Sequence, residues 1–332
     1  YAERVKALNP YVPGEQPNDR VYIKLNANEN PYPPSPKVQD ALNNFDTSAL
    51  RRYPDPDATE LRKAFAKVVG VTPDMVYAGN GSDEILSFIF YTFFDNKLPV
   101  VLPQHTYSFY PVYASYYDIP LHKVPLEDDF TISIDKLLEP ESSGIIFANP
   151  NAPTGCFMSL EKLRELLTRY DSNKPVVVDE AYIEFCPEAT ALPLQEKYNH
   201  LVITRTLSKA FALAGIRCGF TIADPEVIKM MLKVIDPYPI SDPVAQIACQ
   251  ALSKNGLSIL QDRIVELNDR KARFIDAIKN LNFVDEIFAD KANYILVRFK
   301  DGPEIFDSCV RKGIILRDFH TKPRLKNCIR IT

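Results

Sequence analysis

The chain has 332 residues, 46% hydrophobic and 25% charged, with a net charge of −4, which describes a globular protein with a large core and argues against nucleic acid or an anionic membrane as its main partner. Six scattered cysteines without a C-x-x-C pair fit a reducing, cytoplasmic setting, and four histidines without ligand spacing give no metal site. The longest apolar run, "ILSFIFYTFF", is about half of the ~20 residues a membrane span requires.

Residues 1–36 are rich in Pro and Asn ("LNPYVPGEQPNDR", "NENPYPPSP") and are expected to form an extended arm rather than a helix. "ATELRKAFAKVVG" then carries apolar residues at helical spacing and ends in glycine, a helix with its stop signal. Short apolar runs follow, separated by helical ones: "MVYAG", "PVVLP", "GIIFANP", "PVVVDEAY", "HLVITR" and "CGFTIAD". Uniformly apolar strands alternating with helices predict an α/β fold, with a mostly parallel sheet covered on both faces.

"DPYPISDP" breaks this pattern, and after it come a long helical region, the strand "NYILVRF", a helix around "EIFDSCVRKG", and the strands "IILRDF" and "CIRIT". The expected division is an arm at 1–36, a large α/β domain at 37–240, and a smaller α+β domain at 241–332 that receives part of the arm. Since the chain begins at Tyr1 and stops just after a strand pattern, further sequence is expected beyond both ends.

Open parallel α/β sheets bind ligands beyond the carboxyl ends of their strands. Those positions here carry "GNGSDE", Tyr107 in "QHTYSFY", "NPNAPTG", Asp179 with Tyr182 in "DEAY", and "RTLSKAF". The glycine turn of "GNGSDE" feeds a helix starting at Ser82, Asp83 and Glu84, whose free N–H groups can hold a phosphate or can simply be capped. A buried strand-end Asp179 calls for a cationic partner, such as a protonated ring nitrogen. Lys209, beside Ser208, Ala210 and Phe211, is a candidate desolvated amine able to form a Schiff base, and Arg217 is a candidate phosphate clamp. An acid for a pyridinium, a lysine for an aldehyde and a cup for a phosphate together describe pyridoxal 5′-phosphate.

At this point the chain resembles the fold-type I pyridoxal-phosphate-dependent aminotransferases, and within them the histidinol-phosphate aminotransferases. The likeness runs through "LNANENP", "RRYPDP", "GNGSDE", "NPNAPTG", "VVVDEAYIEF", "TLSKAFALAGIRCG", "NYILVRF", "GIILRD" and "IRIT". It implies a large domain with a mostly parallel, seven-stranded sheet and a smaller α+β domain. It implies that Lys209 is the Schiff-base lysine and proton shuttle, that Asp179 keeps the pyridine nitrogen protonated, and that Tyr182 bonds the ring O3′. Tyr107 is expected to stack on the ring, and Thr206, Ser208, Arg217 and the amides of Ser82 and Asp83 to bind the phosphate. Tyr53 is expected to reach the cofactor of a neighbouring subunit, making a homodimer with shared sites. Arg330 and Arg317 are expected to hold substrate anions, with Tyr11 and Asn26 closing the pocket.

In one place the sequence departs from the family pattern. The Asn that commonly precedes "PTG" and contacts O3′ is Ala152 here, leaving Asn151 or Asn149 as the substitute. The implied reaction is a ping-pong transamination of histidinol phosphate with 2-oxoglutarate, in histidine biosynthesis. Rival readings are an aromatic amino acid aminotransferase, a decarboxylase of the threonine-phosphate type, a non-catalytic regulatory module of the same fold, and a dinucleotide-dependent α/β enzyme. The last lacks G-x-G-x-x-G, and the regulatory module lacks a basic winged-helix stretch.

Overall fold

Seven short strands build the central sheet in the computed structural model, which describes residues 3–6, 8, 17, 19–288 and 291–332. In chain order the described strands are β1 (Ile23–Lys24), β2 (Val76–Gly79), β3 (Val100–Pro103), β4 (Leu121–Val124), β5 (Gly144–Ala148), β6 (Val176–Asp179), β7 (Leu201–Thr206), β8 (Gly219–Ile222), β9 (Val284–Ile287), β10 (Ile295–Phe299), β11 (Ile314–Ile315), β12 (Arg317–Asp318) and β13 (Cys328–Ile331). The large sheet has the order β2-β8-β7-β6-β5-β3-β4, and only β8 runs against its neighbours.

The apolar runs form strands because both of their faces are covered. Val176 and Val178 pack into one core with Ile145, Phe147 and Ile203, while the intervening Val177 packs into another with Ile146, Val202 and Leu102. Each such side chain contributes roughly 1.5–3 kcal/mol by leaving water, so a one-residue slip in register is excluded by both faces at once. The register brings Ala148, Asp179 and Thr204 into one row, and Thr206, Gly219 and Gly79 into another. The expected helix forms over Thr59–Val69 and stops at Gly70, whose φ of +79° is the left-handed C-terminal turn.

The second sheet is antiparallel, in the order β12-β13-β10-β9. Its strand β9 (Val284–Ile287) is absent from the sequence reading, because its "VDEI" pattern is short and half polar. "IILRDF" divides at Leu316: β11 pairs with β1 of the arm, and β12 with β13. The arm is therefore stitched to the C-terminal body, while its start carries one helical turn, Glu3–Lys6, where an extended path was expected. Helix Asp242–Ala251, which begins at the expected boundary of 241, packs on the helices Pro36–Asn43 and Thr59–Val69. Its Ile247, Ala248 and Ala251 join the larger core.

Candidate active site

Asp179 ends β6 on the sheet face that carries Val177, and is only 4% exposed. Tyr110 donates to its Oδ2 at 3.0 Å and Thr204 to its Oδ1 at 3.1 Å. Burial pushes its carboxyl up to about 6, against the lowering effect of these two hydroxyls. Among the described residues it has no cationic partner. A buried carboxylate with neutral donors and no cation is built for a cation brought by a ligand.

Its neighbours Glu180 and Arg205 point to the opposite face and form an ion pair at 2.8 Å, with Glu180 fully buried. Glu180 also accepts from the Ala191 amide at 2.6 Å and from Thr190 at 3.0 Å. This network clamps the ends of β6 and β7 immediately behind Asp179 and Thr206. Losing either ion-pair partner would strand a buried charge, at a cost of about 3–5 kcal/mol.

The phosphate-like end of the site is a cradle made by close backbone approach. At Gly219 an added Cβ would lie 2.6 Å from the Ser82 amide nitrogen and 2.8 Å from the Gly81 carbonyl carbon. At Gly81, with φ +88°, it would lie 2.6 Å from the Arg217 guanidinium. Only glycines let β8, the "GNGSDE" turn and Arg217 meet there. Arg217 donates to Asp83 at 2.9 Å and to the Ala214 carbonyl at 3.1 Å, and Thr206 donates to Ser208 at 2.9 Å. Amides at the start of helix Ser82–Phe93, two hydroxyls and a guanidinium therefore converge as an anion cup.

Tyr107 donates to Asp83 at 2.7 Å, and its ring stands edge-on to Tyr110 at 5.4 Å. Lys209 Nζ lies 5.8 Å from the centre of the Tyr182 ring and donates to the Ala27 carbonyl at 3.4 Å. The structure thus gathers Lys209, Asp179, Tyr182, Tyr107, Ser82, Asp83, Thr206, Ser208 and Arg217 around one row of strand ends.

The expected substitute for the contact at Ala152 is not found. Asn151 donates both amide hydrogens within its own surroundings, to the His105 carbonyl at 2.8 Å and to Thr154 at 3.0 Å. Asn149 likewise donates to the carbonyls of Met158 and Ala189. Neither amide is left to replace the contact missing at Ala152, which instead packs among Tyr182, Phe185 and Tyr294. Tyr53 is 80% exposed and stacks on Tyr238 at 4.7 Å, away from the buried cluster. Tyr11 lies outside the described residues.

The C-terminal body supplies the other wall. Arg330 Nη2 donates to the carbonyl of the buried Asn26 at 2.8 Å. Its guanidinium lies 5.2 Å from the Tyr294 ring centre and 5.7 Å from that of Phe319. Arg317 stands directly opposite it across the β12–β13 pair. Like charges facing each other on neighbouring strands are unfavourable unless an anion joins them.

Several contributors were missed in the sequence. Tyr110, Thr204, Tyr294, Asn28 and Asn30 all reach this centre. Asn30 donates to the carbonyls of Lys209 and Ala210, Asn28 to Tyr182 at 2.7 Å, and Tyr294 to the Asn151 carbonyl at 2.9 Å. The asparagine-rich "NANEN" was the available signal for Asn28 and Asn30; Tyr110 and Thr204 carried none beyond their closeness to Tyr107 and Arg205.

Residues 20–332 match the family of aminotransferases of class I and II. The histidinol-phosphate aminotransferase of Syntrophus aciditrophicus is 40% identical over 100% of this chain and 92% of its own length. That of Aeromonas hydrophila is 43% identical over 99% of this chain and 91% of its own. In fold, the chain superposes with a TM-score of 0.89 and 24% identity on the histidinol-phosphate aminotransferase of Sinorhizobium meliloti, solved in complex with pyridoxal-5′-phosphate, covering 100% of this chain and 92% of that one. An L-threonine-O-3-phosphate decarboxylase from Porphyromonas gingivalis has the same fold, with a TM-score of 0.79 at 20% identity over 93% of this chain and 94% of that one. With its strand-end lysine and aspartate and its full-length likeness to these relatives, the chain belongs to the histidinol-phosphate aminotransferases of the class I and II aminotransferase family.

Proposed function

We propose that this chain transfers the amino group of histidinol phosphate to 2-oxoglutarate, giving imidazole acetol phosphate and glutamate in histidine biosynthesis, with pyridoxal 5′-phosphate as cofactor. The observation that carries this reading is Asp179: a buried carboxylate without a cation, at the same strand mouths as Lys209 and the anion cup. The residues present fit the cofactor, since they offer a carboxylate, an amine and a phosphate site. When bound, the cofactor supplies an electron-withdrawing pyridinium conjugated to the substrate nitrogen.

Asp179 would keep the proton on the cofactor ring nitrogen, and its hydroxyl donors Tyr110 and Thr204 fix the carboxylate that would do so. Lys209 would be the amine that holds the cofactor aldehyde and, once freed by the substrate amine, the base that moves the proton of the substrate Cα. Tyr107 would pack against the cofactor ring, and Ser82, Asp83, Thr206, Ser208 and Arg217 would hold its phosphate. Arg330 grips the acidic end of the substrate and Arg317 adds a second positive charge. Asn26 fixes Arg330 through its carbonyl.

The exposed Tyr53 serves the cofactor of a second subunit in a homodimer, and the enzyme works in the cytoplasm. The chain divides into the arm at 1–36, a cofactor-binding body, and a smaller C-terminal body that starts after helix Asp242–Ala251, because that helix packs on the large body.

The test is a substrate panel on purified protein. Histidinol phosphate should be turned over at least tenfold more efficiently than phenylalanine, and threonine phosphate should not be decarboxylated. Preference for phenylalanine would assign the chain to the aromatic aminotransferases instead.

A further inference from the structure

Asn28 is 2% exposed and adopts φ +55°, a left-handed conformation that asparagine and aspartate tolerate better than other side chains. All four of its polar groups are engaged. Its amide N–H donates to Thr332 Oγ1 at 3.3 Å, and that hydroxyl donates back to Asn28 Oδ1 at 3.2 Å. Its carbonyl accepts from Asn293 at 3.0 Å. Its side-chain nitrogen donates to the Tyr182 hydroxyl at 2.7 Å. The Thr332 hydroxyl therefore decides which end of the amide faces Tyr182: the oxygen is occupied, so the NH2 group points at the phenol.

A phenol oxygen that accepts an N–H must send its own proton to a different acceptor. Tyr182 is 7% exposed, and among the described residues its hydroxyl has no acceptor. The amides of Asn149 and Asn151 are committed elsewhere, and position 152 is alanine. We infer that Asn28 is a positioning residue, which compels Tyr182 to donate its proton to the O3′ oxygen of the bound cofactor. This rests on the pyridoxal-phosphate reading above and adds the N-terminal strap to it. By holding a donor on O3′, Asn28 stabilises the ionised oxygen and keeps the lysine-linked cofactor unprotonated at lower pH.

The experiment is a pH titration of the visible absorbance of the cofactor-loaded protein, with Asn28→Asp and Asn28→Gly, both of which accept φ +55°. In Asn28→Asp the new carboxylate captures the Tyr182 proton, and the absorbance midpoint should rise by about one pH unit. Asn28→Gly should raise it by about half as much. In a Tyr182→Phe background the Asn28→Gly shift should vanish, because no hydroxyl remains to be oriented. Thr332→Val, which leaves Asn28 in place but frees its amide to turn, should shift the midpoint in the same direction by less.

An unchanged midpoint in both Asn28 variants would overturn the positioning role. So would an Asn28→Gly shift that persists undiminished in Tyr182→Phe. Absence of any visible band in the unsubstituted protein overturns the cofactor reading itself, which separates the two failures.

Discussion

The two walls of this site are built by opposite means. The large-body wall consists of contiguous peptides at the ends of adjacent parallel strands, set in rows by registers such as Ala148–Asp179–Thr204. The C-terminal wall is assembled from single residues far apart in the chain: Asn26, Asn28 and Asn30 from the arm, with Tyr294 and Arg330 from the antiparallel sheet. The first wall holds charge in place by burial inside a sheet covered on both faces. The second holds it by hydrogen bonds between segments some 300 positions apart, as in the pairs Asn28–Thr332 and Asn26–Arg330. Substitutions in the first wall should therefore abolish chemistry or cofactor binding, and those in the second should alter how substrate is gripped or, at Asn28, how the Tyr182 proton is aimed.

The largest effect is expected at the centre of the first wall. Lys209→Ala should lower turnover by about 10³-fold or more, and a variant with normal absorbance and full turnover would refute its role. Asp179→Asn should cost a similar factor while stabilising the protein stripped of cofactor at pH 7. A carboxyl raised from 3.8 to about 6 in the fold binds its proton more tightly there than in the unfolded chain. Stability from this group is therefore complete below about pH 4 and is lost as pH rises through 6. The penalty at pH 7 is on the order of 3 kcal/mol. Thermal melts of the stripped variant should exceed those of the unsubstituted chain at pH 7, and the two should converge near pH 4.

The cradle at Gly219 gives the next effect. Gly219→Ala pushes a methyl against the Ser82 amide and should weaken cofactor binding by about 10- to 100-fold, from an overpacking cost of 1–3 kcal/mol; a cofactor titration followed by fluorescence measures it. Arg330→Lys sharpens the comparison from the other side. Loss of the planar fork between Tyr294 and Phe319 should raise KM about tenfold, with cofactor affinity unchanged. Equal losses in both quantities would show that the walls are not separable. The smallest effect is expected for Tyr53→Phe, where losing one hydrogen bond of about 1 kcal/mol should reduce cofactor affinity about fivefold.

The large-body wall was legible because each of its peptides couples a strand pattern to the chemistry that follows it. "VVVDEAY" announces both the buried strand β6 and the acid at its end, and "TLSK" sits directly on the end of β7. Less of the C-terminal wall could be read. Strand β9 was invisible because "VDEI" lacks a continuous apolar signal, and helix Asp242–Ala251 sits on the large body although it follows the proline-rich break. Asn28 offered no sign of its partners, since hydrogen bonds across hundreds of residues leave no periodicity. The assignment of Asn151 to the cofactor failed for a related reason: composition shows an available amide, while only geometry shows that its hydrogens are already given to His105 and Thr154.

By itself the sequence determined the α/β class, six of the seven central strands and the identity of the groups at their ends, because hydrophobic runs and the residues that stop them are local properties. Tertiary structure decided which groups are desolvated, which donors are spent and which remain to act. Asp179 becomes a buried anion only once Tyr110 and Thr204 close over it, and the Tyr182 proton acquires a direction only once Asn28, held by Thr332, presses against it. Burial and hydrogen-bond direction arise from contacts between distant segments, and these exist only after the chain has folded.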